Sequence, residues 1–154
     1  MTARKKTKPP VNMGVLQELL GYHLRRAQLS FFAGFAEACA DLGLSPGLFA
    51  VLEVVYRNPG LTQTAVSKAL GTDRSAMVAA IDKLEAMELL ERRPSENDRR
   101  SYALFATDRC NNWYPEAEEK VKHQEELVAG NLTLDERQQL LSLLKKLNAG
   151  TAQA

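Results

Sequence analysis

Two cysteines and two histidines are all that this 154-residue chain offers as thiol or imidazole ligands. Cys39, Cys110, His23 and His123 lie far apart and form no CxxC pair or Cys/His cluster. That spacing excludes a zinc-ribbon or disulfide framework, and a reduced, cytoplasmic setting is the simplest reading. No apolar run approaches the roughly 20 residues of a membrane span. The opening MTARKKTKPP is basic but leads into no apolar segment, so neither a secretory signal nor a membrane partner is expected. A nucleophile elbow, a P-loop, a dinucleotide fingerprint and a metal-ligand cluster are all missing, which argues against an enzyme and against a cofactor. Charge of one sign is missing too: 20 Lys and Arg face 19 Asp and Glu, for a net +1. Whole-chain charge therefore does not announce a nucleic-acid binder.

What is present is ordinary for a folded domain: 45% apolar and 25% charged residues. The length suits one domain, or one domain with helical extensions. Residues 1–10 read as a disordered basic tail, with Arg4, Lys5, Lys6 and Lys8 ahead of a Pro-Pro stop. A long helix is predicted over about 13–40, because Leu16, Leu20, Leu24, Ala27, Phe31, Phe35 and Ala38 recur at three- and four-residue steps. Ser45-Pro46 opens a second helix to about Arg57, followed by an Asn58-Pro59-Gly60 turn. Thr62 and Gly71 bracket a third helix, and a fourth starts near Asp73 with Met77, Ile81 and Leu84 as its core stripe. Leu89–Pro94 and Ser101–Thr107 read as two strands joined by a charged loop. A fifth helix follows from about 108, with Pro115 inside it. A capping box, Thr133-Leu134-Asp135-Glu136, opens a last helix striped by Leu140, Leu141, Leu144 and Leu147. The fold class is mainly α with a small β-hairpin wing (α+β).

Two short helices, a tight turn between them and a hairpin afterwards make the order of a winged helix-turn-helix. In such a module the second helix enters the major groove. If Met77, Ile81 and Leu84 face inward, the opposite face presents Ser75, Ala76, Val78, Ala79, Asp82 and Lys83. Ser75 can hydrogen-bond a base edge, and Ala76, Val78 and Ala79 can touch a thymine methyl. Thr62 and Gln63, at a helix start, suit phosphate, as do the point charges of Lys68 and Lys83. Arg92 and Arg93 lie in the first strand; Asn97, Asp98, Arg99 and Arg100 form the tip, sized for a minor groove.

With DRS at Asp73–Ser75 and DRR at Asp98–Arg100, the chain resembles the MarR family of winged helix-turn-helix transcriptional regulators over nearly all of its length. The resemblance implies a homodimer on a palindromic operator in double-stranded DNA. It implies that the helices at about 13–40 and 108–148 interleave, that residues 11–149 form the domain, and that a head at about 45–107 reads DNA. It implies that Arg99 or Arg100 enters the minor groove. It also implies that Asp98 and the Asp73-Arg74 pair organise the wing against the reading helix. Such regulators are mostly repressors released by small effectors, often aromatic acids, phenols or their thioesters. The candidates here are Tyr22, His23 and Arg26 on the first helix, Phe49 on the second, and Trp113 and Tyr114 on the fifth. The same aromatics could equally be core. Two further readings stay open: a winged-helix protein-interaction module without specific DNA binding, and a redox sensor working through Cys39 or Cys110. Departures from the family pattern are an unusually apolar reading helix, Glu88 where a glycine usually ends that helix, and Ala106 and Cys110 in place of Leu and Gly.

Overall fold

The computed structural model describes residues 11–95 and 102–151. The basic tail and the hairpin tip expected at Asn97–Arg100 lie outside the described residues.

Helix α1 spans Leu20–Ala38, not the longer stretch expected from its stripe. Ahead of it, Gly14–Glu18 form a separate 3₁₀ turn, and Leu19 is extended between the two. Gly14, at φ 52°, and Gly21 flank the break, and each weakens a helix. The His23 ring lies 2.9 Å from the Gln17 carbonyl oxygen, which the break leaves without a helical partner. A second 3₁₀ turn, Ala40–Leu42, leads to α2 at Pro46–Arg57. The Ser45 hydroxyl accepts from Leu48 N–H at 3.3 Å, and Pro46 takes the first turn, where its missing N–H costs nothing.

Helix α3 (Gln63–Leu70) and helix α4 (Arg74–Ala86) follow with the caps the sequence predicts. Thr62 caps α3, and Gly71 closes it at φ 61°, a left-handed conformation that glycine takes freely. Asp73 caps α4. Strand β1 is only Leu61–Thr62, β2 is Leu90–Pro94 and β3 is Tyr102–Ala106; they form one antiparallel sheet in the order β1-β3-β2. Leu61 pairs with Leu104, and Arg92 pairs with Leu104 from the other side. A two-residue strand carries no alternation, so β1 had no signal of its own in the sequence. Helix α5 spans Asp108–Val128, capped by Thr107, and continues past Pro115; α6 spans Leu134–Thr151 behind the Thr133–Glu136 capping box.

One core holds the middle of the chain together. Leu52, Val55, Val66, Met77, Ile81, Leu84 and Leu104 are fully buried, and Tyr114 and Ala117 bring α5 against them. The turn from α4 into β2 is costly: Glu88 stands at φ 59°. Left-handed backbone disfavours any residue with a Cβ by about 1–2 kcal/mol, so the turn is strained where the family usually has glycine.

Candidate nucleic-acid interface

Asp73 fixes the start of α4. Its carboxylate accepts from Ala76 N–H at 2.9 Å and from the Ser75 hydroxyl at 2.6 Å. These donors, the hydroxyl first, hold the Asp73 carboxyl below its usual range. Ser75 therefore reaches solvent with its proton committed to Asp73, leaving its oxygen as an acceptor. Met77, Ile81 and Leu84 turn the inner face of α4 into the core. Arg74, Ser75, Ala76, Ala79, Asp82 and Lys83 are exposed on the other side, and Val78 is half-buried at its edge. The face is apolar at its centre and charged at its ends.

A polar cleft of about 220 Å³ lies beside this face, lined by Thr62, Gln63, Thr64, Arg74, Arg92, Tyr102 and Leu104. Three elements meet there: the N-terminus of α3, the first turn of α4 and the base of the wing. Unpaired N–H groups and the positive end of a helix dipole favour an anion at such a place. Thr64 and Tyr102 were not among the residues expected from the sequence. Tyr102 comes next to α3 only because β3 lies between β1 and β2. Lys68 is exposed on α3.

Arg92, one of the expected DNA-binding residues, is paired within the chain. Its guanidinium donates to Asp82 at 2.6 Å and to Glu85, and its N–H donates to Glu85 Oε1 at 3.0 Å. Only 23% of its side chain is exposed. Arg92 thus ties β2 to α4 and neutralises two carboxylates beside the reading face. Arg93 is more open, but it pairs with Glu91 and lies 4.5 Å over the Phe105 ring. Asp73 acts as a helix cap, while Arg74 is the member of the pair that faces the wing base.

The six expected effector residues fall into two groups. Tyr22, His23 and Arg26 cluster on the outside of α1, with the Tyr22 and His23 rings 5.5 Å apart and the Arg26 guanidinium 6.0 Å from the Tyr22 ring. Phe49 and Tyr114 stack within the head at 6.3 Å, Tyr56 stacks on Tyr114 at 4.0 Å, and Trp113 packs on the same core. Phe35, also on α1, meets Phe49 at 6.2 Å. Thirteen residues separate Tyr22 from Phe35, roughly 20 Å at 1.5 Å per helical residue. One chain therefore does not bring the six into a single pocket.

The larger concavity is elsewhere: a groove of about 550 Å³ between α1, α5 and α6. Ala27, Phe31, Val128, Leu140, Leu141 and Leu144 are among the apolar residues lining it. Cys39 and Cys110 are free thiols, both fully buried. Burial pushes the Cys110 thiol up to about 11 and raises that of Cys39, the opposite of what a reactive thiolate needs. No helix among the described residues is long and apolar enough to cross a membrane.

These features define a winged-helix regulator. The MarR family model matches residues 42–101. A proposed transcriptional regulatory protein for the hcr operon of Thauera aromatica is 38% identical over 83% of this chain and 78% of its own length. A solved structure of the transcriptional repressor CouR bound to a 23-mer DNA duplex is 38% identical, covers 91% of this chain and 99% of that one, and superposes with a TM-score of 0.86. CouR bound to p-coumaroyl-CoA is 36% identical, covers 90% of this chain and 98% of that one, with a TM-score of 0.81. The chain belongs to the MarR family and is a transcriptional regulator of that type.

Proposed function

We infer that the protein is a homodimeric repressor that binds a palindromic operator and leaves it when a small effector binds. The observation that carries this reading is the outward face of α4, exposed beside a polar cleft while its inner face is fully buried. Ala76, Ala79 and the edge of Val78 would meet thymine methyls; Thr62, Gln63, Thr64, Arg74, Lys68 and Lys83 would meet phosphates. Residues 45–107 act as the reading head, and α1, α5 and α6 join two heads so that half-sites lie about 34–36 Å apart.

An aromatic acyl thioester is the favoured effector class. The support is the likeness to CouR with p-coumaroyl-CoA, together with a cationic cluster on α1 and an aromatic stack in the head. Tyr22, His23 and Arg26 from one chain would share a site with Phe49, Trp113 and Tyr114 of another part of the dimer. An effector that binds the DNA-free arrangement better draws the population toward it.

The test is a gel-shift titration on the DNA upstream of the protein's own gene, with and without p-coumaroyl-CoA, free p-coumarate and coenzyme A. Binding that saturates, weakens steeply with salt and is released by the thioester supports the reading. Binding no tighter than to unrelated duplex would refute it and favour an interaction module.

A further inference from the structure

Glu88 is the one non-glycine residue with positive φ among the described residues. Folding alone does not call for a side chain there, because glycine takes that conformation freely. What the glutamate adds is a carboxylate, and it lands on α5. Arg109 Nη1 donates to Glu88 Oε2 at 2.6 Å. The Glu88 carbonyl accepts from the Thr107 hydroxyl at 2.6 Å, and that hydroxyl in turn caps α5 by accepting from Cys110 N–H at 3.1 Å. The next carbonyl, that of Leu89, accepts from Thr107 N–H at 3.1 Å. On the other side, Leu89 N–H donates back to Leu84 of α4 at 2.9 Å. The end of the reading helix and the first turn of α5 are therefore fastened through Glu88 and its neighbour Leu89.

We propose that Glu88 is a coupling residue: it latches α4 to α5, so that a movement of α5 turns the reading helix rather than being absorbed in the turn. Backbone strain persists where surrounding contacts over-determine it, and it collects at moving or binding parts. Glycine here would leave a swivel. Glutamate narrows the freedom of the turn and adds an ion pair that favours the arrangement of the two helices seen here. The Glu88 and Arg109 side chains are 72% and 64% exposed, so their pair adds little to overall stability. Its effect is expected in the angle between helices rather than in the melting temperature. The consequence for operator binding rests on the function inferred above; the joint itself does not.

The two are tested separately. Nitroxides on Ala79→Cys in α4 and Asn112→Cys in α5, both exposed positions, report the angle by double electron–electron resonance in the full chain without DNA. The native thiols are buried and escape labelling. Labelled protein is diluted with unlabelled protein so that distances within one chain dominate. The distance distribution should be narrow in the parent, broader in Glu88→Gly and in Arg109→Ala, and narrow again in the charge-swapped Glu88→Lys/Arg109→Glu. Equal widths in all four would overturn the latch, whatever the protein does with DNA. Unlabelled variants then bind the operator with its natural half-site spacing and with one base pair inserted. Discrimination between the two should fall about threefold in Glu88→Gly and Arg109→Ala, roughly what one exposed ion pair provides. Broadened distances with unchanged discrimination would refute the coupling to DNA while leaving the operator reading intact.

Discussion

Ile81 in α4 and Leu141 in α6 sit on apolar stripes of the same helical period, yet Ile81 is fully buried and Leu141 is 56% exposed. The contrast extends to whole regions. In the head, α2, α3, α4 and the sheet close over one another and leave most of their leucines and valines dry. In the limbs, Leu20, Leu134, Leu143 and Leu147 face solvent beside an open groove. A row of exposed apolar side chains of this extent marks a surface that another molecule covers. The head is complete within one chain, whereas the limbs are complete only with something added, and the proposed dimer supplies a second copy.

The largest effect is expected where the head is already closed. Ile81→Ala should cost about 2–5 kcal/mol, the range for emptying a buried aliphatic site. Urea unfolding followed by circular dichroism measures it, and a loss below about 1 kcal/mol would mean the core is looser than its burial implies. Leu141→Glu sharpens the other side of the comparison. It should leave the head folded but weaken self-association about a hundredfold, or about 2.7 kcal/mol, by forcing a charge into an apolar contact. Sedimentation across micromolar concentrations decides this; a parent chain that is already monomeric there breaks the comparison outright.

Arg92→Ala tests whether the interface is built from within. It should weaken operator binding about tenfold, chiefly by releasing Asp82 and Glu85 beside the reading face, and adding Asp82→Asn should restore most of the loss. If Arg92 held phosphate directly, the second change would restore nothing and the salt slope would fall by about one. The smallest effect belongs to the cap of α4. The Asp73 carboxyl titrates lower in the folded chain than in the unfolded one. Its contribution to stability is therefore present above the ordinary carboxylate value of about 3.8 and is lost as pH falls through the lowered folded value. Melting curves of the parent and Asp73→Ala should differ at neutral pH and converge as pH falls below the lowered folded value.

The reading helix was legible because its caps and its core stripe are local. Asp73, Met77, Ile81 and Leu84 lie within four turns of one another, and a helical period places them without knowledge of any neighbour. The break at Leu19 was not legible, since a continuous apolar stripe hides a change of backbone path. Strand β1 escaped because two residues carry no period. The pairing of Arg92 was hidden for a different reason. An arginine near a presumed DNA face looks free until Asp82 and Glu85, ten and seven residues earlier, are seen to reach it.

The sequence by itself determined the order of the main helices and hairpin strands, both ends of α2 and α3, the starts of α4 and α6, the side of α4 that turns inward, and the family. The structural ones follow from hydrogen bonds and side-chain periods within a few residues, and the family from its resemblance at the DRS and DRR motifs. Only the tertiary structure decided that Arg92 ties β2 to α4, that Thr64 and Tyr102 share a cleft with Arg74, and that Phe49 and Tyr114 stand apart from Tyr22. It also decided that Glu88 meets Arg109. These facts depend on how separate elements are brought together, and no pattern within one helix or strand encodes that.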